Sequence, residues 1–196
     1  MPLLTNERHI HYNTRLGHLL QNTASNIRSY HGFLSTQAQH LLAPVNHLWD
    51  RSQRYRLVAS HSTDKRCATA LLSECQDAHQ SICHSILQMN EMLDAISSDV
   101  ADFDMECICL SSELEPEPCP NSVAECREWL NESLHSLQSQ LKCLEIASRL
   151  LLPPIMQQQT VDEFKTNLKL GENTEALLCM GLARAEQQAV VPLLTY

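Results

Sequence analysis

The chain has 196 residues, with 43% hydrophobic and 19% charged side chains and a formal net charge of −9. That length is enough to bury a core within one domain, and no apolar run approaches the ~20 residues that cross a bilayer as a helix. Only four Gly and three Phe stand beside abundant Leu, Ser, Gln and Ala, a composition that favours helices over a sheet.

The opening Met-Pro-Leu-Leu-Thr-Asn-Glu lacks the charged and apolar segments of a secretory signal. The expectation is therefore an intracellular protein, cytoplasmic or nuclear, without a membrane partner. Its nine Cys should then stay reduced and serve as small hydrophobes on helical segments. Charge is unevenly spread. Residues 1–66 carry eight Lys or Arg against three acids, whereas residues 67–126 carry twelve acids and no Lys or Arg. Such segregation suits pairing between a basic and an acidic helix, or a cationic partner for the acidic half.

From Asn6 to Leu34 the pattern is helical, with Leu16, Leu20, Ile27, Tyr30 and Leu34 on one stripe and Thr23 interrupting it. A second stripe runs through Leu41, Val45 and Leu48, with Trp49 closing it. Pro44 lies inside and should kink or restart the helix, because it lacks an amide donor and crowds the preceding turn. Residues 51–62 read as a basic and polar connector, with Ser62 or Thr63 as cap for the next helix.

The dominant pattern comes next. Leu72, Cys75, His79, Ile82, Ile86, Met89, Leu93, Ile96, Val100 and Phe103 fall in alternating steps of three and four, with no Pro or Gly between them. These steps place one narrow apolar seam along a long helix that demands other helices to cover it. The helix should fade near Asp104. Residues 105–121 are acidic and carry three alternating prolines, which predicts an extended link.

Ser122-Val123-Ala124-Glu125 spells a capping box, opening a helix with Cys126, Leu130, Leu134, Leu137, Leu141, Leu144 and Leu151 on one side. Pro153-Pro154 stops it. Thr160-Val161-Asp162-Glu163 spells a second box for a short helix ending at Gly171, and a last helix runs from Thr174 to Ala189. The apolar tail from Val190 to Tyr196 either docks or frays.

Chemistry-bearing groups are sparse. Cys75, His79 and Cys83 are spaced by four, with His84 adjacent, but three ligands so spaced span roughly 12 Å of helix axis, too far for one ion. Cys107, Cys109, Cys119 and Cys126 lack the paired two-residue gaps of zinc knuckles. No metal, cofactor or catalytic residue is expected, since no strained turn, Gly-rich oxyanion loop or phosphate cradle accompanies the Cys and His. Arg51, Arg54 and Arg56 are the place to look for phosphate contacts, although the basic charges are scattered and direct nucleic-acid binding is not the favoured reading. Partner contacts are expected at Trp49 and Trp129, which sit beside their seams, and at Leu130, Ile86 and Leu93.

Pro120-Asn121-Ser122-Val123-Ala124, then Glu128-Trp129-Leu130 and a long polar and Leu-rich helix, resembles a segment of the small helical ribosome-maturation factor that works with AAA-ATPases on the large ribosomal subunit. The order of parts is similar too: a leading helix with the pair Leu41-Leu42, a second long helix, a Pro-containing link and a capped helix. A cyclin-dependent-kinase-interacting protein of the same assembly is similar in layout. After Leu130 the family's helix continues strongly basic, whereas this one is rich in Ser, Gln and Leu. The resemblance implies a non-catalytic subunit bridging an ATPase to pre-ribosomal particles.

The sequence thus predicts an all-α fold: an elongated antiparallel helical bundle with coiled-coil-like seams and short C-terminal helices. It divides into a long hairpin over 1–104, an acidic link over 105–121, and a capped helix with short helices over 122–196 that pack on the hairpin as one domain. The expected function is that of a non-enzymatic adaptor or assembly subunit that binds other helical proteins. The alternatives are a Cys/His metal-binding regulator and a nucleic-acid-associated subunit.

Overall fold

The computed structural model describes residues 2–61, 65–113 and 121–188. Among them the chain is all-α, an antiparallel bundle of five helices with no strand: α1 (Pro2–His61), α2 (Lys65–Glu113), α3 (Asn121–Arg149), α4 (Gln158–Asn167) and α5 (Glu172–Gln188). Contacts gather into two compact units. Unit 1 comprises Met1–Tyr30, Met92–Leu137 and Gly171–Tyr196, and unit 2 comprises His31–Glu91 and Gln138–Leu170. Each unit therefore combines segments of the three long helices with one short helix, α5 in unit 1 and α4 in unit 2. A seam on one long helix is covered within each unit by the other two and sealed by the short one.

In unit 1 the core joins Leu16, Leu20, Ile27 and Tyr30 of α1 to Leu93, Ile96, Val100 and Phe103 of α2. Val123, Cys126, Leu130 and Leu137 of α3 and Leu178, Leu182 and Ala185 of α5 complete it. Thr23, the polar break in the first stripe, is fully buried and donates its hydroxyl to the Leu19 carbonyl at 2.8 Å, so the backbone satisfies it locally. Arg15 pairs with the buried carboxylate of Glu106 at 2.9 Å, and Asn26 donates to Asp99 at 2.6 Å. Numbers rise along α1 as they fall along α2, which is the antiparallel sense. These contacts, with Arg127–Asp104 at 2.8 Å, bring basic groups of α1 and α3 onto the acidic helix.

Unit 2 buries Leu34, Leu41, Val45 and Leu48 of α1 against Cys75, Ile82, Ile86 and Met89 of α2. Leu141 and Leu144 of α3, Leu151 and Met156 of the following turn, and Val161 and Phe164 of α4 fill the remainder. The seam of α2 is as expected except at its start, where Leu71 is buried and Leu72 is half-buried, and at His79, which is also half-buried.

Several expected boundaries move, in each case because buried side chains outweigh local composition. α1 runs unbroken through Pro44 and past Trp49 to His61. One lost amide bond is tolerated where Leu41, Val45 and Leu48 are buried around it. The expected connector over 51–62 is helical as far as His61, with Ser52 fully buried and donating to the Trp49 carbonyl at 2.8 Å. The cap expected at Ser62 or Thr63 lies outside the described residues.

α2 continues beyond Asp104 to Glu113, since Cys107 and Leu110 are buried and extend its seam. The prolines of the expected link lie outside the described residues. α3 is described from Asn121, one residue ahead of the expected box that opens at Ser122. In α3 the fully buried position is Ser133, and Leu134 is half-buried at the edge.

The Thr160 capping box does not operate. α4 starts earlier, with Gln157 as its cap and no side-chain capping bond. Its first turn is held instead by Gln158 and Gln159, which donate to Asp162 and Glu163 at 2.9 Å each, one turn on. α4 ends at Asn167. Gly171 precedes α5, accepting the Glu175 amide at 2.9 Å, rather than stopping α4.

Candidate partner-binding surfaces

The residues expected to meet a partner divide sharply. Ile86, Leu93 and Leu130 are buried in the chain's own core, and Trp129 retains only 7% of its surface. The Trp129 indole N–H donates to the Leu177 carbonyl of α5 at 3.1 Å. The ring occupies the space where a side chain on Gly181 would begin: a Cβ there would lie 1.7 Å from the indole nitrogen. Only the absence of that carbon lets α5 approach α3 so closely. Trp49, in unit 2, is half-buried. As a group these five cover hydrophobic surface inside the molecule more than they offer it.

The Cys and His groups are equally occupied. His79 meets the Ser148 carbonyl through Nε2 at 3.0 Å. The Cys83 sulfur lies 3.7 Å from Nδ1 and 3.8 Å from Nε2 of that ring. Near-equal distances mean that the sulfur sits between the two ring nitrogens and singles out neither. No group of three or more His, Cys, Asp or Glu could share a metal ion among the described residues. Cys75, Cys107 and Cys126 are buried, Cys109 is exposed, and Cys119 lies outside the described residues.

Burial pushes the Cys75 thiol up, with Glu74 adding to the shift and Arg51 opposing it. Desolvation raises Cys83 and Cys126 as well, the latter against the pull of Arg184. All three stay protonated at neutral pH, and a protonated thiol is a poor nucleophile.

The cations proposed for phosphate each have another task. Arg51 pairs with Glu74 at 2.8 Å and donates to His47 at 3.1 Å, and Arg54 pairs with Asp50 at 3.1 Å. Arg56 donates from Nε to the Pro153 carbonyl at 2.9 Å, and its Nη2 reaches the Met156 carbonyl. This guanidinium binds the chain's own backbone.

What Arg56 holds is a surface that the sequence reading missed. After α3 the chain turns through Leu150–Met156, and its side chains divide between core and solvent. Leu151, Pro153 and Met156 point into unit 2, whereas Leu150, Leu152 and Ile155 are 45%, 42% and 55% exposed. Ile146, one turn before Leu150 on α3, is 52% exposed. Bonds from Ile155 N and Met156 N to the Leu152 carbonyl, at 3.0 and 2.8 Å, tighten the turn. The arrangement presents four large aliphatic side chains on a backbone fixed from beneath. The signal in the sequence was the run Leu150-Leu151-Leu152 at a helix end. Three consecutive residues cannot all face one core, so some of that run had to face outward.

Each unit also carries a groove. One in unit 2, of about 590 Å³, is lined by Ala43, Pro44 and His47 of α1 and by Asp77, Ala78 and Ser81 of α2, with the Arg51–Glu74 pair. The other, in unit 1 between α3 and α5, is about 540 Å³ and is lined by Trp129, Leu177, Met180, Gly181 and Arg184 among others. No helix among the described residues is long and apolar enough to cross a membrane. No protein-family model, curated protein or solved structure matches the chain.

Proposed function

We propose that this protein is a non-enzymatic helical adaptor, a subunit that docks another protein against the turn after α3. The observation that carries this reading is the exposure of Ile146, Leu150, Leu152 and Ile155 on a backbone pinned by Arg56. Exposed aliphatic side chains in a cluster mark contact surfaces, and a fixed backbone lowers the entropic cost of binding. A single-helix partner suits exposed aliphatic groups at a helix end and the turn after it, because an amphipathic helix supplies a row of apolar side chains.

The finer reading, a subunit of a AAA-ATPase assembly in ribosome maturation, rests on the resemblance around Trp129 and on the similar order of parts. Val123 and Leu130 of that stretch are fully buried and Trp129 nearly so, which makes them keepers of the fold rather than points of contact. A shared role would thus have to run through other residues, and the exposed turn is where to look.

The test uses residues that support no core. Leu152→Asp combined with Ile155→Asp should leave helical content unchanged and stability within about 0.5 kcal/mol of the parent, as exposed substitutions do. Affinity purification from cells, read by quantitative mass spectrometry, should show at least a tenfold loss of co-purifying proteins. An unchanged set of proteins would remove the turn from the interface.

A further inference from the structure

The aliphatic turn of unit 2 is continuous with a charged face of α3. From Lys142 onward the exposed positions of that helix are Lys142, Cys143, Ile146 and Arg149, and exposed Leu150 follows. Steps of three and four place Lys142, Ile146, Arg149 and Leu150 on one face. Ile146 and Leu150 are thus interleaved with two cations.

The cations differ in what they meet. Lys142 pairs with Glu145, the one carboxylate of α3 after Glu132, at 2.8 Å. The guanidinium of Arg149 takes part in no ion pair or hydrogen bond among the described residues. The next carboxylates along the chain, Asp162 and Glu163 of α4, accept from Gln158 and Gln159 instead. Arg56, beneath the turn, directs its donors to the Pro153 and Met156 carbonyls. Arg149 therefore brings a full set of N–H donors, and a charge that no carboxylate offsets, to the edge of an apolar surface.

We infer that the partner docked on this face is an amphipathic helix with carboxylates beside its apolar stripe, a conclusion that rests on the adaptor reading. Its apolar side chains cover Ile146, Leu150, Leu152 and Ile155, while a carboxylate at the rim meets Arg149 as a bidentate pair. An anionic bilayer also joins apolar and negative groups, but a net charge of −9 opposes approach to an extended negative surface. A single helix meets only the local face, because charges beyond about 8 Å are largely screened at physiological ionic strength. A cation in the last turn also suits the negative end of its own helix. That role affects stability alone and selects no partner.

The experiment measures binding of the full chain to two synthetic peptides by fluorescence anisotropy. Each is a stapled helix of about 18 residues, five turns, with the same stripe of Leu. One carries Glu beside the stripe and the other Lys. The net charge of the chain favours the Lys peptide, so a preference for Glu has to come from local cations. The Glu peptide should bind at least tenfold more tightly, and added salt should narrow the ratio. Arg149→Glu should cut the ratio at least fivefold. Arg28→Glu, the same change of charge in unit 1, should leave it within twofold.

Equal affinity for the two peptides would overturn the inference, as would no binding of either, or a ratio that falls as far in Arg28→Glu as in Arg149→Glu. Sedimentation with vesicles of phosphatidylserine and phosphatidylcholine, lost in Arg149→Glu, would assign the face to a membrane and overturn it too. Leu152→Asp with Ile155→Asp tells the two readings apart. Equal affinities that both vanish in this variant leave the adaptor surface standing without its acidic partner. Binding of both peptides undisturbed by it removes the surface as well.

Discussion

The two units are made of the same three long helices, yet they close by opposite means. Unit 1 closes by contact: α5 comes so near α3 that Gly181 yields its side-chain space to Trp129, and Leu178 and Leu182 are buried beneath. Ion pairs Arg28–Glu186 and Arg184–Glu125 fasten the exposed rim. Unit 2 closes by pinning: Arg56 holds the backbone of the turn after α3, Gln140 donates to the Asn167 carbonyl at 3.0 Å, and α4 contributes Val161 and Phe164. Close packing leaves little room for variation and hides its apolar groups. A guanidinium on backbone carbonyls fixes the path of a turn but leaves Leu150, Leu152 and Ile155 facing water. A rigid closure and an available surface are thus supplied by different parts of the same architecture.

The comparison can be broken most severely inside the seam of α2. Leu93→Asp in unit 1 and Ile86→Asp in unit 2 each place a carboxylate among buried aliphatic groups, and each should cost more than about 4 kcal/mol. Circular dichroism of each variant checks this; a native melting curve for either would deny that its half of the seam is closed.

Gly181→Ala separates the two modes of closure. The new methyl meets the indole of Trp129, a flat and rigid group that cannot fold aside, so a loss of about 2–3 kcal/mol is expected from overpacking. Chemical denaturation gives the magnitude, and Trp129→Leu in the same chain should recover part of it by vacating the space. An effect below experimental error would show that α5 slides without penalty.

Arg56→Ala is the corresponding test of pinning. It removes charged donors from the Pro153 and Met156 carbonyls, for an expected loss of about 1.5–3 kcal/mol. Hydrogen exchange should quicken over residues 150–156 more than over α5. A uniform change along the chain would mean that Arg56 supports unit 2 generally and not the turn in particular.

The smallest effect has the opposite sign. Ser133 is fully buried in unit 1 and its hydroxyl finds no partner among the described residues. Ser133→Ala relieves that group without changing the packing volume much, and should stabilise the protein by about 1 kcal/mol. A loss in the denaturation midpoint would instead point to a water bound at the hydroxyl.

Much of the fold was legible because its signal is periodic. The steps from Cys75 to Phe103 alone identify a long buried helix face, and the stripes through Leu16 to Leu34 and Leu41 to Leu48 identify another. Element ends were less legible, since caps and breakers act locally and with small energies. Thr160 offered capping chemistry worth about 1 kcal/mol, and α4 starts before it, at Gln158. Pro44 offered a break that the buried residues around it override. Of the candidate surface, only the run Leu150-Leu151-Leu152 left a trace.

The sequence by itself determined that this chain is helical and which side of each long helix avoids water, because 3.6-residue periodicity is a property of one helix and needs no neighbour to be read. The tertiary structure decided everything that depends on two helices meeting. It made Trp129 a wedge rather than an anchor, turned Arg56 from a candidate phosphate ligand into a clasp on backbone carbonyls, and divided the leucines after α3 between core and solvent. Those outcomes depend on which surface lies opposite, and a linear pattern does not specify that surface.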